Sequence, residues 1–161
     1  MTDHGNEEKQ AVEAFRRSEK RHLREKVLLL RAIESELGAN VRAIVKRERA
    51  NSVRAQWTEI AESEGKNDIE DLIRILWNGI SNFVHYEVVD QHDGYAQLRV
   101  HHCLFAEIAK ELGVDKDWGY ELYCADDPHI VAGFNPHIKL KRGKTLMEGH
   151  DCCDHCYILK Q

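Results

Sequence analysis

The fold of this chain is decided by residues 84–101, Val84-His85-Tyr86-Glu87-Val88-Val89-Asp90-Gln91-His92-Asp93-Gly94-Tyr95-Ala96-Gln97-Leu98-Arg99-Val100-His101. Two runs rich in β-branched and aromatic residues flank the turn sequence Gln91–Gly94, which predicts a β-hairpin. Before Phe83 the apolar residues instead recur at steps of three or four, which is typical of amphipathic helices. The hairpin therefore divides a helical region, residues 1–83, from a region that contains strands, residues 84–161.

Three helices are predicted in the first region. The first covers residues 9–37 and ends before Gly38, which suits the residue after a helix C-terminus. The second covers residues 40–63, where apolar residues form a broad stripe. The third begins after Asn67 as N-cap, with Glu70 three residues later, and continues to about Ile80.

The region after the hairpin predicts two short helices and two more strands. The helices cover residues 103–112 and 117–132, and the strands cover Ile138–Arg142 and Cys153–Leu159, with a turn near Gly149. The predicted fold class is α+β, in which an N-terminal three-helix region precedes a roughly four-stranded antiparallel sheet with two packed helices. A length of 161 residues with no Ser/Gly linker predicts a single domain over 1–161.

Composition and charge exclude several classes of protein. With 42% hydrophobic and 32% charged residues, neither a disordered chain nor a fibrous repeat is indicated. The longest aliphatic run has four residues, Val27–Leu30, against the roughly 20 that span a bilayer. The net charge is −5 and the C-terminal half is the acidic one, so nucleic acid is not an expected partner. The polar, acidic start Met1–Glu8 is unlike a secretory signal, and we expect a cytoplasmic protein without membrane contact.

Five cysteines in a reducing compartment indicate chemistry or packing rather than disulfides. Cys103 is predicted where a strand meets a helix, and the helix dipole there would lower the pKa of its thiol. The alternative is that Cys103 is only a small buried hydrophobic residue. Cys124 precedes Asp126-Asp127-Pro128, whose carboxylates either orient a base or form an ordinary turn.

A dense cluster of cysteine and histidine lies at His150-Asp151-Cys152-Cys153-Asp154-His155-Cys156. Zinc usually requires four ligands, and a second Cys-x-x-Cys pair is absent from the sequence. Strand periodicity places Cys153, His155, Tyr157 and Leu159 on one face and Asp154, Cys156 and Ile158 on the other. We therefore interpret the cluster as one wall of a pocket. The nearby Arg142 and Lys144 either pair with a substrate carboxylate or are simply solvated.

An ordered set of motifs resembles the L-2-amino-thiazoline-4-carboxylic acid hydrolase family. The motifs are Val100–Cys103, Tyr123–Asp127, Phe134–Pro136, Leu140–Gly149 and Cys152–Asp154, and the resemblance covers about residues 84–160. It implies hydrolytic opening of a cyclic amidine-like thiazoline carboxylate to an N-carbamoyl-cysteine. By position, the recurrent residues of the family fall on Cys103, Cys124, Asp127, Arg142, Thr145, Gly149, Cys153 and Asp154. The chain departs from the family pattern at His101, Leu104, His155 and Cys156, which surround the implied pocket.

The resemblance and the residue chemistry together nominate a site. The candidate catalytic residues are Cys103, Cys124, Cys153, Asp127, His101 and Asp154, and the candidate substrate-binding residues are Arg142, Lys144 and Thr145. Cys153 or Cys103 would attack the substrate, His101 or His155 would act as acid and base, and Arg142 would bind the carboxylate. No cofactor is expected. The alternative is a divalent metal bound by Cys103, Cys124, Cys153 and His155, which would activate water.

Two other functions remain open. A non-enzymatic domain that binds or senses a small ligand could use the same pocket, and a Cys/His metal-binding module would need the metal in order to fold. The expected partner is a small-molecule carboxylate. The apolar stripe of the first helix either packs within the monomer or mediates a homo-oligomer through the N-terminal helices.

Overall fold

Two long helices form the N-terminal half of the chain. In the computed structural model, which describes residues 4–160, α1 spans His4–Leu37 and α2 spans Asn40–Glu64. Gly38 separates them with a φ of 77°, a left-handed conformation that glycine adopts at low cost. Both predicted helices are confirmed. The single-domain range 1–161 and the interpretation of Met1–Glu8 include residues 1–3 and 161, which lie outside the described residues.

The third helix differs from its prediction in two ways. Its first segment, α3, spans Ile69–Leu72, and Asp68 caps it by accepting a hydrogen bond from the backbone N–H of Asp71 at 2.9 Å. The prediction of Asn67 as the N-cap is therefore wrong. Asn67 lies one residue before the cap, and its backbone is left-handed with a φ of 60°. After Leu72 the chain forms a π-helical turn over Ile73–Trp77, which places the indole of Trp77 in the core.

Four strands form one antiparallel sheet in the order β1-β2-β4-β3. They are β1 (Val84–His92), β2 (Tyr95–Cys103), β3 (Ile138–Lys141) and β4 (Cys153–Leu159). Gly94 permits the tight turn between β1 and β2 with a φ of 70°. Along β4 the side chains of Cys153, His155 and Tyr157 are buried, so the predicted alternation of faces is confirmed. The predicted α+β class is also confirmed.

Three short helices lie in the region of the sheet, where the sequence predicted two helices, over residues 103–112 and 117–132. They are α4 (Leu104–Glu111), α5 (Lys116–Tyr123) and α6 (Asp127–Phe134), and the 3-10 turn Cys124–Asp126 joins the last two. The prediction of one helix over 117–132 is therefore wrong. Pro128 has no backbone N–H to donate and is favoured in a first helical turn, so a new helix begins at Asp127. A second 3-10 turn, Leu146–Glu148, precedes β4.

The buried apolar residues form two clusters. One lies between the sheet, α2, α3 and α6, and the other lies between α1, α4 and α5. Leu28, Leu29 and Leu37 of α1 and Ile44 of α2 stay exposed. The homo-oligomer through these helices stays a prediction. Among residues 4–160, no helix is both long enough and apolar enough to span a bilayer.

Candidate functional site

A cavity of about 190 Å³ lies where the π-helical turn, the ends of β2 and β3, β4 and the α5–α6 junction meet. Its apolar wall is formed by Leu76, Trp77, Ile80, Val84, Val100, Phe105, Ile130 and Met147. Its polar residues are Cys103, Tyr123, Cys124, Asp126, Asp127, Arg142, Thr145, Cys153 and His155. An apolar pocket with a few convergent polar groups is the usual form of a small-molecule site.

A buried ion pair occupies the polar end of the cavity. The guanidinium of Arg142, only 7% exposed, donates from Nη1 to Oδ2 of Asp127 and from Nη2 to the hydroxyl of Tyr120 at 2.7 Å. Burial alone would lower the pKa of Arg142, but the charge of Asp127 outweighs it and the pKa is raised. Arg142 therefore remains a cation inside the protein.

His155 shares the carboxylate of Asp127. Its Nε2 lies 3.0 Å from Oδ2 of Asp127, while its Nδ1 is buried without a hydrogen-bond partner among residues 4–160. Because a carboxylate only accepts hydrogen bonds, the proton of the neutral imidazole belongs on Nε2. Nδ1 then carries the lone pair. A buried histidine oriented by a carboxylate at one nitrogen, with the other nitrogen free, can act as a general base.

Burial keeps the three thiols of the cavity in the neutral form. It raises the pKa of Cys124 strongly, with the charge of Asp127 adding to the effect. It raises the pKa of Cys153 to about 11, although the backbone N–H of Leu146 donates to this sulfur at 3.2 Å.

The expectation of a lowered pKa at Cys103 is wrong. This residue is the N-cap of α4, and the amides of Ala106 and Phe105 pull its pKa down, but burial raises it by more. All three thiols therefore need a base before they can act as nucleophiles.

Three of the predicted site residues lie away from the cavity. The ring of His101 is exposed, with Nε2 3.0 Å from Oε1 of Glu87. The ammonium of Lys144 is also exposed, 3.5 Å from Oδ1 of Asp151. The carboxylate of Asp154 accepts the backbone N–H groups of Gly143 and Lys144 at 2.8 and 2.5 Å. Asp154 therefore fixes the loop that follows Arg142 rather than lining the pocket.

The structure brings the remaining predicted residues together. Thr145 lines the cavity and is 1% exposed, with its hydroxyl donating to Oε2 of Glu148 at 2.7 Å.

Within residues 4–160, no three His, Cys, Asp or Glu side chains form a group suited to a metal ion. The divalent metal stays a prediction.

Several residues around the cavity were not singled out from the sequence. Trp77 falls within the predicted third helix and Met147 within the motif Leu140–Gly149, but the sequence predicted neither as a site residue, nor Tyr120 or Phe105. The preference of tryptophan and tyrosine for a polar partner when buried is the one signal that could have indicated them. The π-helical turn that presents Trp77 has no recognisable sequence pattern.

A family model described as L-2-amino-thiazoline-4-carboxylic acid hydrolase matches residues 15–157. The chain belongs to the L-2-amino-thiazoline-4-carboxylic acid hydrolase family. The match begins within α1 and includes α2, α3 and nearly all of the sheet, so the resemblance noted for about residues 84–160 extends over most of the chain. Every residue that lines the cavity lies within the matched range of this family.

The other comparisons concern curated proteins and solved structures. No curated protein matches the chain. The crystal structure of the phenol-responsive sensory domain of the transcription activator PoxR with phenol is similar in fold, with a TM-score of 0.52 and 13% sequence identity. The similarity covers 86% of this chain and 74% of that one. At this identity the likeness concerns the fold alone.

Proposed function

We propose that the chain is a hydrolase that opens a small cyclic amidine-like carboxylate in the cavity. The observation that carries this proposal is the convergence of Arg142, Asp127 and His155 with three thiols on one pocket, in a chain of this hydrolase family. The pocket offers a cation, a base and candidate nucleophiles, which are the groups that such a hydrolysis needs.

The substrate carboxylate would bind to Arg142. A guanidinium has five N–H donors in a fork, and Asp127 and Tyr120 accept from Nη1 and Nη2 without using all of them. Thr145 also lines the cavity, and its hydroxyl caps the turn Leu146–Glu148 by donating to Oε2 of Glu148 and accepting from the backbone N–H of Glu148. Trp77 and Phe105 would contact the apolar part of the ring. Arg142 thereby fixes the orientation of the ring carbon relative to His155.

The reaction forms a bond at the carbon between the ring nitrogen and sulfur and breaks the bond from that carbon to sulfur. Nδ1 of His155 takes a proton from the nucleophile and returns it to the departing sulfur, while Asp127 stabilises the imidazolium. The second proton of the water that is consumed ends on the ring nitrogen, which becomes an N–H of the product. The nucleophile is water, or it is the thiol of Cys153 or Cys103, in which case water cleaves the adduct afterwards. Either route consumes one water and yields a carbamoyl group and a free thiol.

The test is turnover of L-2-amino-thiazoline-4-carboxylate, followed by chromatography and mass spectrometry of the product. His155→Gln should lower kcat/KM by about 10²-fold or more, because it removes the base. His101→Gln is the matched control and should leave the rate unchanged, since this ring lies outside the cavity. Absence of turnover in the unmodified chain would refute the proposal, and full activity of His155→Gln would refute the role of the base.

The cysteine variants identify the nucleophile in the same assay. If a thiol attacks, one of Cys103→Ala and Cys153→Ala should lose activity, and the unmodified protein should carry an acid-stable adduct on that residue. If water attacks, both variants should retain most of the rate. Cys156→Ala is the control, because this residue lies on the opposite face of β4.

The second candidate is a domain that binds or senses a small ligand without turnover. The specific observation in its favour is the predominantly apolar cavity with neutral thiols, in a fold similar to a phenol-responsive sensory domain. Here phenol or a related neutral aromatic should quench tryptophan fluorescence with an affinity independent of pH. The ligand would be recovered unchanged, and the thiazoline carboxylate would not be hydrolysed.

A further inference from the structure

We infer that Trp77 is a positioning residue that holds the imidazole of His155 in its reactive orientation. The chemical use of His155 rests on the proposed hydrolase function, whereas the contacts below do not depend on it. Trp77 lies at the end of the π-helical turn Ile73–Trp77 and is 4% exposed. It lines the cavity together with His155.

The indole is attached to β4 at two points. Its ring packs edge-on against the imidazole of His155, with centroids 4.8 Å apart and an interplanar angle of 74°. Its Nε1 donates a buried hydrogen bond to the hydroxyl of Tyr157 at 3.1 Å. His155 and Tyr157 are two residues apart and therefore lie on the same face of the strand. Tyr157 thus fixes the indole, and the indole packs on the imidazole.

This contact supplies what the hydrogen bond to Asp127 lacks. A single bond from Nε2 fixes the distance to the carboxylate but allows the ring to turn about that bond. Packing against one face of a ring removes this freedom. With the ring fixed, Nε2 stays on Asp127 and the unpartnered Nδ1 keeps the lone pair. Asp127 thus selects Nδ1 as the base, and Trp77 holds the ring in the orientation that keeps this arrangement.

The backbone of the third helix is consistent with this role. A π-turn inserts one residue and rotates the following side chains by about 100° relative to a regular α-helix. Such turns are rare in proteins as a whole, but many of those that occur lie at functional sites. Here the turn ends at Trp77 itself.

The experiment reads the tautomer of His155 in long-range ¹H–¹⁵N spectra. We expect only the Nε2–H tautomer in the unmodified protein, and a mixture of both tautomers in Tyr157→Phe and in Trp77→Phe. Tyr157→Phe keeps the aromatic ring, whose centroid lies 6.4 Å from that of His155, and removes the hydroxyl that accepts from Nε1 of Trp77. Its effect therefore reports the loss of this hydrogen bond to the indole. Trp57→Phe removes another buried indole that has no ring contact with His155 and should leave the tautomer unchanged.

Steady-state kinetics give the second readout. Loss of orientation should lower kcat of Tyr157→Phe by about tenfold or more while KM changes little, because misplacing a catalytic group affects the chemical step. A single Nε2–H tautomer in both variants would overturn the positioning role, whatever their activity. If the unmodified chain shows no turnover, the proposed function fails but the tautomer measurement still decides the role of Trp77. If Trp77→Phe does not fold, Tyr157→Phe alone decides it.

Discussion

At the scale of single residues, burial determines the chemistry of the cavity thiols. Desolvation disfavours thiolates, and at Cys103 it exceeds the opposing effect of the amides at the start of α4. Neutral thiols resist alkylation and oxidation at physiological pH. A buried cysteine of this kind becomes reactive only when a nearby base removes its proton, and His155, the base that we propose, lines the same cavity.

The pKa of Cys153 leads to a pH dependence of stability. Its folded pKa of about 11 lies above the value near 8.5 of an unfolded thiol. The stabilisation is therefore fully present below about pH 8.5 and is lost as the pH rises toward 11. We expect Cys153→Ala to remove about 1–2 kcal/mol of the alkaline decrease in the free energy of unfolding, measured by urea denaturation at pH 7.5, 9 and 10.5.

The control for this measurement is Cys156→Ala, on the other face of β4. Other buried groups, including the hydroxyl of Tyr157, also titrate at high pH and affect both variants alike. The informative quantity is therefore the difference between each variant and the unmodified protein. Parallel pH profiles for Cys153→Ala and the unmodified protein would contradict the raised pKa.

At the scale of elements, the sequence predicted regular periodicity well and local exceptions poorly. The bounds of β4 and the opposite faces of Cys153 and Cys156 followed from a period of two. The break between α5 and α6 was missed, because Asp126-Asp127-Pro128 is compatible with both a turn and a first helical turn. The π-turn was missed because local helix propensity does not indicate it. What distinguishes it is a tertiary contact, the buried hydrogen bond from Trp77 to Tyr157.

The contact between α6 and α2 depends on Gly133. A Cβ atom at this position would lie 2.4 Å from the backbone oxygen of Arg54 and 3.0 Å from Cβ of Trp57. The backbone oxygen of Arg54 cannot move away unless α2 moves with it. Gly133→Ala should therefore destabilise the protein by about 3 kcal/mol or more in urea denaturation. Gly79→Ala, whose Cβ meets no atom within 4 Å, should change stability by at most about 1 kcal/mol.

Gly119→Ala tests whether the nature of the obstructing atom matters. Its Cβ would lie 2.7 Å from Sδ of Met147, the end of a flexible side chain that can turn away. Its cost should therefore fall between those of the other two glycine variants. A Gly133→Ala protein as stable as Gly79→Ala would show that α2 and α6 separate easily.

At the scale of the whole molecule, the site is assembled from distant parts of the chain. Four residues of the cavity illustrate this. Cys103 ends β2 and Asp127 begins α6, whereas Arg142 directly follows β3 and His155 lies within β4. The family resemblance identified three of them. It could not determine that Lys144 and Asp154 face away, because this depends on the path of the loop between β3 and β4.

The same framework is compatible with binding and with catalysis. A fold shared with a phenol-responsive sensory domain does not select between them, because function depends on the residues at the site. The buried cation is the feature that distinguishes the two ligand classes here. A neutral phenol carries no charge that could pair with the guanidinium of Arg142, whereas a carboxylate would accept a charge-assisted hydrogen bond from it.

Ligand-induced thermal stabilisation measures this difference on the whole protein. At 100 times its Kd, the thiazoline carboxylate should stabilise the fold by about 2.7 kcal/mol and raise Tm by about 5–10 °C. 2-Aminothiazoline, which lacks the carboxylate, should give a smaller shift at the same concentration. In Arg142→Lys the two ligands should shift Tm almost equally, because a lysine cannot form the paired hydrogen bonds. If 2-aminothiazoline stabilised the unmodified chain as much as the carboxylate did, Arg142 would not be the carboxylate site, and the cavity would favour uncharged ligands.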